Sequence, residues 1–183
     1  MFNFHGTKHE KQRDRTGMCI TGKDCAPGTE LSFDPGLIKQ LKKDHQAQMQ
    51  LAAVILMSAR EAKFDRTKAA LSQFRRHLQA HLISEDLHLY AYLAYCLKGV
   101  AERMPVMTDV RSEMAAIGRR VMRFVQRYDE AGVEPGNAKE FLDGFGALFK
   151  LLAKRNEYEE VSLFPKYLHP SALKTSQMTP NSN

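Results

Sequence analysis

Four long stretches of this chain repeat an apolar residue every third or fourth position, and hardly anywhere do apolar and polar residues alternate in twos. Gly and Pro crowd the front and a few internal points, leaving the periodic stretches whole. That spacing predicts an all-α protein. A first helix should open at Asp34-Pro35, a carboxylate N-cap followed by a proline whose missing N–H costs nothing at the first helical position. Its inward stripe reads Leu37 or Ile38, Leu41, His45, Met49, Ala52, Leu56 and Ala59. A second helix should begin around Asp65 to Thr67 and run to about Ala101, with Leu71, Phe74, Leu78, Leu82, Glu85, Leu89, Tyr92 and Cys96 inward, before Pro105 breaks the chain. The third covers roughly Thr108 to Glu130 through Val110, Met114, Ile117, Val121, Phe124 or Val125, and Tyr128. Asn137 and Glu140 are spaced as a capping box for the fourth, whose stripe is Phe141, Phe145, Leu148, Leu152, Glu159 and Leu163, and which Pro165 and Pro170 should end.

Short connections between four helices imply an antiparallel up-down-up-down four-helix bundle. The bundle is expected over 34–170, after an irregular N-terminal arm over 1–33 and before a polar tail over 171–183. The arm carries Lys8, Lys11, Arg13, Arg15 and Lys23 with His5 and His9. A length of 183 residues with 43% hydrophobic side chains suits one core. No run is apolar and long enough to span a bilayer and the start lacks an apolar core stretch, so a cytoplasmic protein with no membrane partner is expected. Cys19, Cys25 and Cys96 make no even framework, and reduced thiols with a structural or incidental role are the expectation.

Two short stretches then narrow the chemistry. His81-Leu82-Ile83-Ser84-Glu85 and Arg155-Asn156-Glu157-Tyr158-Glu159 are copies of one pattern, the second with arginine where the first has histidine. A His and a Glu four positions apart lie one turn apart on one helix face, so both can point at one metal ion inside a bundle. Arginine has no lone pair to give and stays protonated, so the second copy exchanges a ligand for a fixed positive charge. His45, His81, Glu85 and Glu159 all fall on inner faces, where charged groups require compensation. A cation such as iron among the four provides it, or Arg155 does so as an internal counterion to Glu85 or Glu159.

These residues resemble the hemerythrin-like HHE cation-binding family. That family places a His on the first helix, His-x-x-x-Glu on the second followed by Leu-Tyr, a His on the third, and His-x-x-x-Glu with Leu-Phe-Pro on the fourth. His45 matches the first position, His81 and Glu85 with Leu89-Tyr90 the second, and Glu159 with Leu163-Phe164-Pro165 the fourth. The third-helix histidine falls near Met114 and the fourth-helix one on Arg155, so two of the six family ligands are gone. The resemblance implies iron at one site, or none, in place of a di-iron centre. Helix 4 around Leu152, Arg155, Glu157, Glu159 and Glu160 bears a fainter likeness to the regulator-of-sigma-D family, whose bundles bind a sigma factor.

Arg119, Arg120, Arg123 and Arg127 stand off the apolar stripe with no acid between Gly118 and Tyr128. They mark a surface for an acidic protein partner. Nucleic acid is disfavoured, because no aromatic residues interleave to stack on bases and the net charge is only +6. His77 and His88 sit at the stripe edge and are expected in solvent; Tyr90, Tyr92 and Tyr95 are expected to pack. No Gly-x-Ser-x-Gly elbow or Gly-rich phosphate loop is present, so no enzyme is expected. The reading is a sensory or regulatory binding protein with an incomplete metal pocket. Its alternatives are a working non-haem iron protein that binds oxygen or a related small ligand, and a sigma-factor-type transcription regulator acting through protein contact.

Overall fold

The structure is a computed structural model that describes residues 25–26, 31–96 and 104–172. The basic residues of the arm, Cys19, the expected helix end at Ala101 and the tail beyond 172 lie outside the described residues. Among those described, five α-helices form four rods. The first rod is α1 (Leu37–Arg60); the second is α2 (Phe64–Ser84), continued through a π-helical turn (Glu85–Tyr90) into α3 (Ala91–Cys96). The third is α4 (Met104–Ala131), and the fourth is α5 (Ala138–Tyr158), continued through a second π-helical turn (Glu159–Leu163) and a 3₁₀ turn (Phe164–Lys166). α1 packs on α2 and α5, and α4 packs on the same two, so the rods form a ring in which chain neighbours are space neighbours. This is the expected all-α up-down-up-down bundle.

Local chemistry departs from the expected boundaries in instructive ways. α1 opens after Gly36, because the Asp34 carboxylate accepts the Gly36 amide at 2.8 Å and so closes the Pro35–Gly36 turn instead of capping the helix. Pro105 lies in the first turn of α4, where no intrahelical N–H is needed, so it begins a helix and does not break one. Asn137 makes no cap bond to α5; it accepts the Glu134 amide at 2.9 Å and donates to the Gly132 carbonyl at 3.2 Å, which ties the loop. Its expected capping partner Glu140 is exposed and faces Arg127 at 3.4 Å. The buried stripe of α1 runs through Gln48 and Ile55, with Met49 and Leu56 only half-buried.

Part of the arm docks on the bundle. Cys25 and Ser32 form an isolated antiparallel bridge, the Ala26 amide donates to Leu31 O at 2.8 Å, and Ala26 is fully buried. Cys25 takes part in a disulfide, against the expectation of reduced thiols, while Cys96 is free and buried.

Two apolar clusters fill the ring. One gathers Ile55, Leu71, Phe74, Val125, Phe141 and Leu152; the other gathers Leu41, Leu89, Tyr92, Met114, Leu163 and Phe164. Between them every rod but one turns polar. α1 passes from Leu41 through His45 and Gln48 to Ala52, the second rod from Leu78 through His81 and Glu85 to Leu89, and the fourth from Leu152 through Arg155, Asn156 and Glu159 to Leu163, all buried. α4 crosses the same level from Met114 to Val121 with Ile117 and Gly118. A charged layer therefore lies between two apolar ones.

Candidate metal centre

Helical repeat alone delivers the first part of the geometry. His45 on α1, His81 and Glu85 one turn apart on the second rod, and Glu159 on the fourth each offer an atom such that all four lie within 4.8 Å of one another. All four residues are at most 2% exposed. His45 Nε2 is 3.3 Å from Glu159 Oε2 and 3.8 Å from Glu85 Oε1, and His81 Nε2 is 3.2 Å from Glu85 Oε1. The two imidazoles meet edge to face at 4.9 Å, and the Phe164 ring stacks on His45 at 5.7 Å.

Each of these residues divides its polar atoms between an inner and an outer duty. The outer atom has a neighbour: His45 Nδ1 meets Glu160 Oε1 at 2.8 Å, Glu85 Oε2 accepts from Arg155 Nη2, and Glu159 Oε1 accepts the Tyr90 hydroxyl at 2.8 Å. His81 Nδ1 lies 3.6 Å from Asp44 Oδ2, beyond hydrogen-bond distance. The inner atoms, His45 Nε2, His81 Nε2, Glu85 Oε1 and Glu159 Oε2, are buried and have no hydrogen-bond partner. Buried polar atoms left unmatched cost about 1–3 kcal/mol each, more when charged, so four facing one another call for a common partner. Two imidazole nitrogens and two carboxylate oxygens are the donor set of a first-row transition metal, and outer bonds of this kind fix the orientation of such ligands. The residues fit a metal ion.

Arg155 occupies the other side of the layer. Its Nη2 bridges the two carboxylates, paired with Glu85 and lying 2.9 Å from Glu159 Oε1. Burial would ease the proton off this guanidinium, but Glu85 and Glu159 push its pKa further up, so it stays charged. Burial favours a neutral Glu85, yet the imidazoles of His45 and His81 and the Arg155 charge hold it well below its ordinary range. Glu159 moves the opposite way, because burial and the neighbouring Glu85 charge outweigh His45 and Arg155. For His45, burial would lower the pKa, but Glu159, Glu85 and Glu160 together push it up to about 9. Without a metal, an imidazolium and a guanidinium thus share the task of neutralising two carboxylates.

Of the other sequence candidates, Met114 is buried and lies beside this layer, offering no ligand where α4 passes. Arg119, Arg120, Arg123 and Arg127 are all exposed on α4; Arg119 lines a cavity that Glu85 and Arg155 also line. His88 is exposed; His77 is half-buried, 3.8 Å from Asp44. Sequence reasoning missed the outer partners Asp44 and Glu160 and gave Tyr90 only a packing role. Asp44 and Glu160 each adjoin a ligand candidate in the chain, which is the one signal available for them.

A family model for the hemerythrin HHE cation binding domain matches residues 36–167. That span opens at the turn before α1, closes just after the 3₁₀ turn and contains every residue of the cluster. No curated protein and no solved structure gives a significant match.

Proposed function

The chain belongs to the hemerythrin HHE cation-binding family, and from that premise we propose that it holds a single metal ion, iron, and serves as a sensory or regulatory binding module, not as an enzyme. The observation that carries the reading is the set of four buried, unmatched inner atoms of His45, His81, Glu85 and Glu159. When bound, iron would supply Lewis-acid and one-electron chemistry at those atoms. The chain's own part is to orient and exclude. Glu160 and Tyr90 hold His45 and Glu159 in place, Phe164 covers the His45 ring, and the apolar clusters on either side keep water from the layer. Arg155 supplies positive charge where a second ion would otherwise be needed, which supports one ion over two.

On this reading the module works in the cytoplasm and reports to an acidic protein through the exposed arginines 119, 120, 123 and 127. No helix among the described residues is long and apolar enough to cross a membrane.

Metal analysis tests the central claim. Full-length protein stripped with a chelator and titrated anaerobically with ferrous ion should retain close to one iron per chain. His81→Ala and Glu159→Ala should each weaken retention by about tenfold or more, the usual effect of losing part of a metal's shell. Two irons per chain, or none retained by folded protein, would overturn the reading.

A further inference from the structure

The polar layer also borders a cavity that the metal reading leaves idle. Where α4 passes without a polar side chain, a cavity of about 230 Å³ lies against Arg155, Glu85, Tyr90, Leu82, Met114 and Met122. α4 can approach here because position 118 is glycine: a Cβ there would stand 3.1 Å from the Leu82 side chain. Asp86, Arg111, Arg119 and Ala115, all exposed, complete the lining toward solvent.

Arg155 gives this space its chemistry. Only its Nη2 is engaged, by Glu85 and Glu159; Nε and Nη1 are buried with no hydrogen-bond partner, on a side chain 1% exposed. A guanidinium that has desolvated its donors without matching them is a strong site for an acceptor, and a charged acceptor matches it best. Of the three lining arginines, Arg155 is matched by Glu85 and Glu159 and Arg111 by Asp86, which leaves Arg119 at the mouth as the cation to be met. A monoanion meets it; a phosphate dianion would press a second charge on Glu85. The remaining walls are apolar and the volume is below the usual range for drug-sized ligands, so the occupant is small with a short hydrocarbon body.

We propose that this cavity binds a small organic monocarboxylate, its carboxylate accepting from the free donors of Arg155 and its hydrocarbon part against Leu82, Met114 and Met122. The site uses none of the four inner atoms assigned to the metal. It therefore stands whether or not the metal reading does.

Isothermal titration of the full-length, chelator-treated protein with hexanoate, hexanamide and inorganic phosphate tests it. Hexanoate should bind one per chain, with the amide and phosphate each at least about tenfold weaker, a difference of ~1.4 kcal/mol. Arg155→Gln should abolish the preference for acid over amide. Because that variant strands buried carboxylates and can unfold, Ala115→Phe provides a second arm: it fills the mouth from an exposed position, and should cost hexanoate about tenfold in affinity with an unchanged circular dichroism melt. Equal affinity for acid and amide, phosphate binding as tightly as hexanoate, no hexanoate binding to folded protein, or full binding to Ala115→Phe would each overturn the proposal.

Discussion

Arg155 and His81 stand at matching places in the two copies of the helix motif, and they answer the same burial problem in different ways. His81 carries a lone pair that an ion can share, whereas Arg155 is itself a cation. Removing it strands Glu85 and Glu159 in a dry layer, so Arg155→Ala should lower stability by about 3–5 kcal/mol in urea denaturation of metal-free protein. A loss below about 1 kcal/mol would mean that its charge is not needed there. Arg155→His replaces the cation by a ligand, and the expected result is a rise above one iron per chain in the same metal analysis. The five inward positions converge because a four-residue spacing on a helix is a geometric fact that any sequence exposes. The outer partners were not legible in that way. Tyr90 reaches Glu159 across two rods, 69 positions away, and Glu160 leaves the apolar stripe yet bends back to His45 from a side chain 36% exposed. Such bonds depend on how rods are rotated against one another, which periodicity does not encode.

The two π-helical turns are what rotates them. Each begins at a carboxylate of the cluster, Glu85 or Glu159, and each buries the pair that follows at four and five positions on: Leu89 with Tyr90, and Leu163 with Phe164. An α-helix places residues four and five apart about 100° from each other, too far for both to face one core; the extra residue in a π turn brings both inward. That is how Tyr90 and Phe164 come to rest on Glu159 and His45. Deleting Leu87, an exposed residue of the first such turn, should therefore lower the denaturation midpoint sharply and disrupt metal retention, whereas Leu87→Ala should stay within about 0.5 kcal/mol of wild type. Equal effects from the two changes would mean that the wide turn has no part in placing the site. The rods were readable from the 3.6-residue repeat; the wide turns were not, although adjacent bulky residues in both motif copies carried the signal. Helix starts failed for a different reason. Asp34 and Asn137 have side chains that serve turns as readily as caps, and here each served the turn.

At the scale of the whole bundle, the apolar end beyond the charged layer is closed by tyrosines. Tyr92 donates to the Leu168 carbonyl at 2.7 Å, and Tyr167 stacks on Phe33 at 4.9 Å while its hydroxyl accepts the Asp34 amide at 2.9 Å. Burial raises both phenols above their ordinary range, Tyr167 up to about 12. The folded state thus prefers neutral phenols, so their contribution is complete below pH of about 10, where unfolded tyrosine titrates, and is lost as pH rises toward 12. Loss of helicity on alkaline titration should coincide with phenolate absorbance, and Tyr167→Phe should make the decline shallower. Ionisation of these tyrosines near pH 10 with helicity intact would contradict the account. Which end of a bundle is closed by which rings follows from the chain's return at Phe33 and Tyr167, a long-range pairing that no local pattern announces.

One counter-charge of the interior belongs to the covalent chain and cannot be chelated, exchanged or oxidised away. Whatever ion the cluster holds or lacks, Arg155 clasps both carboxylates, so this part of the interior keeps a counter-charge that travels with the fold itself.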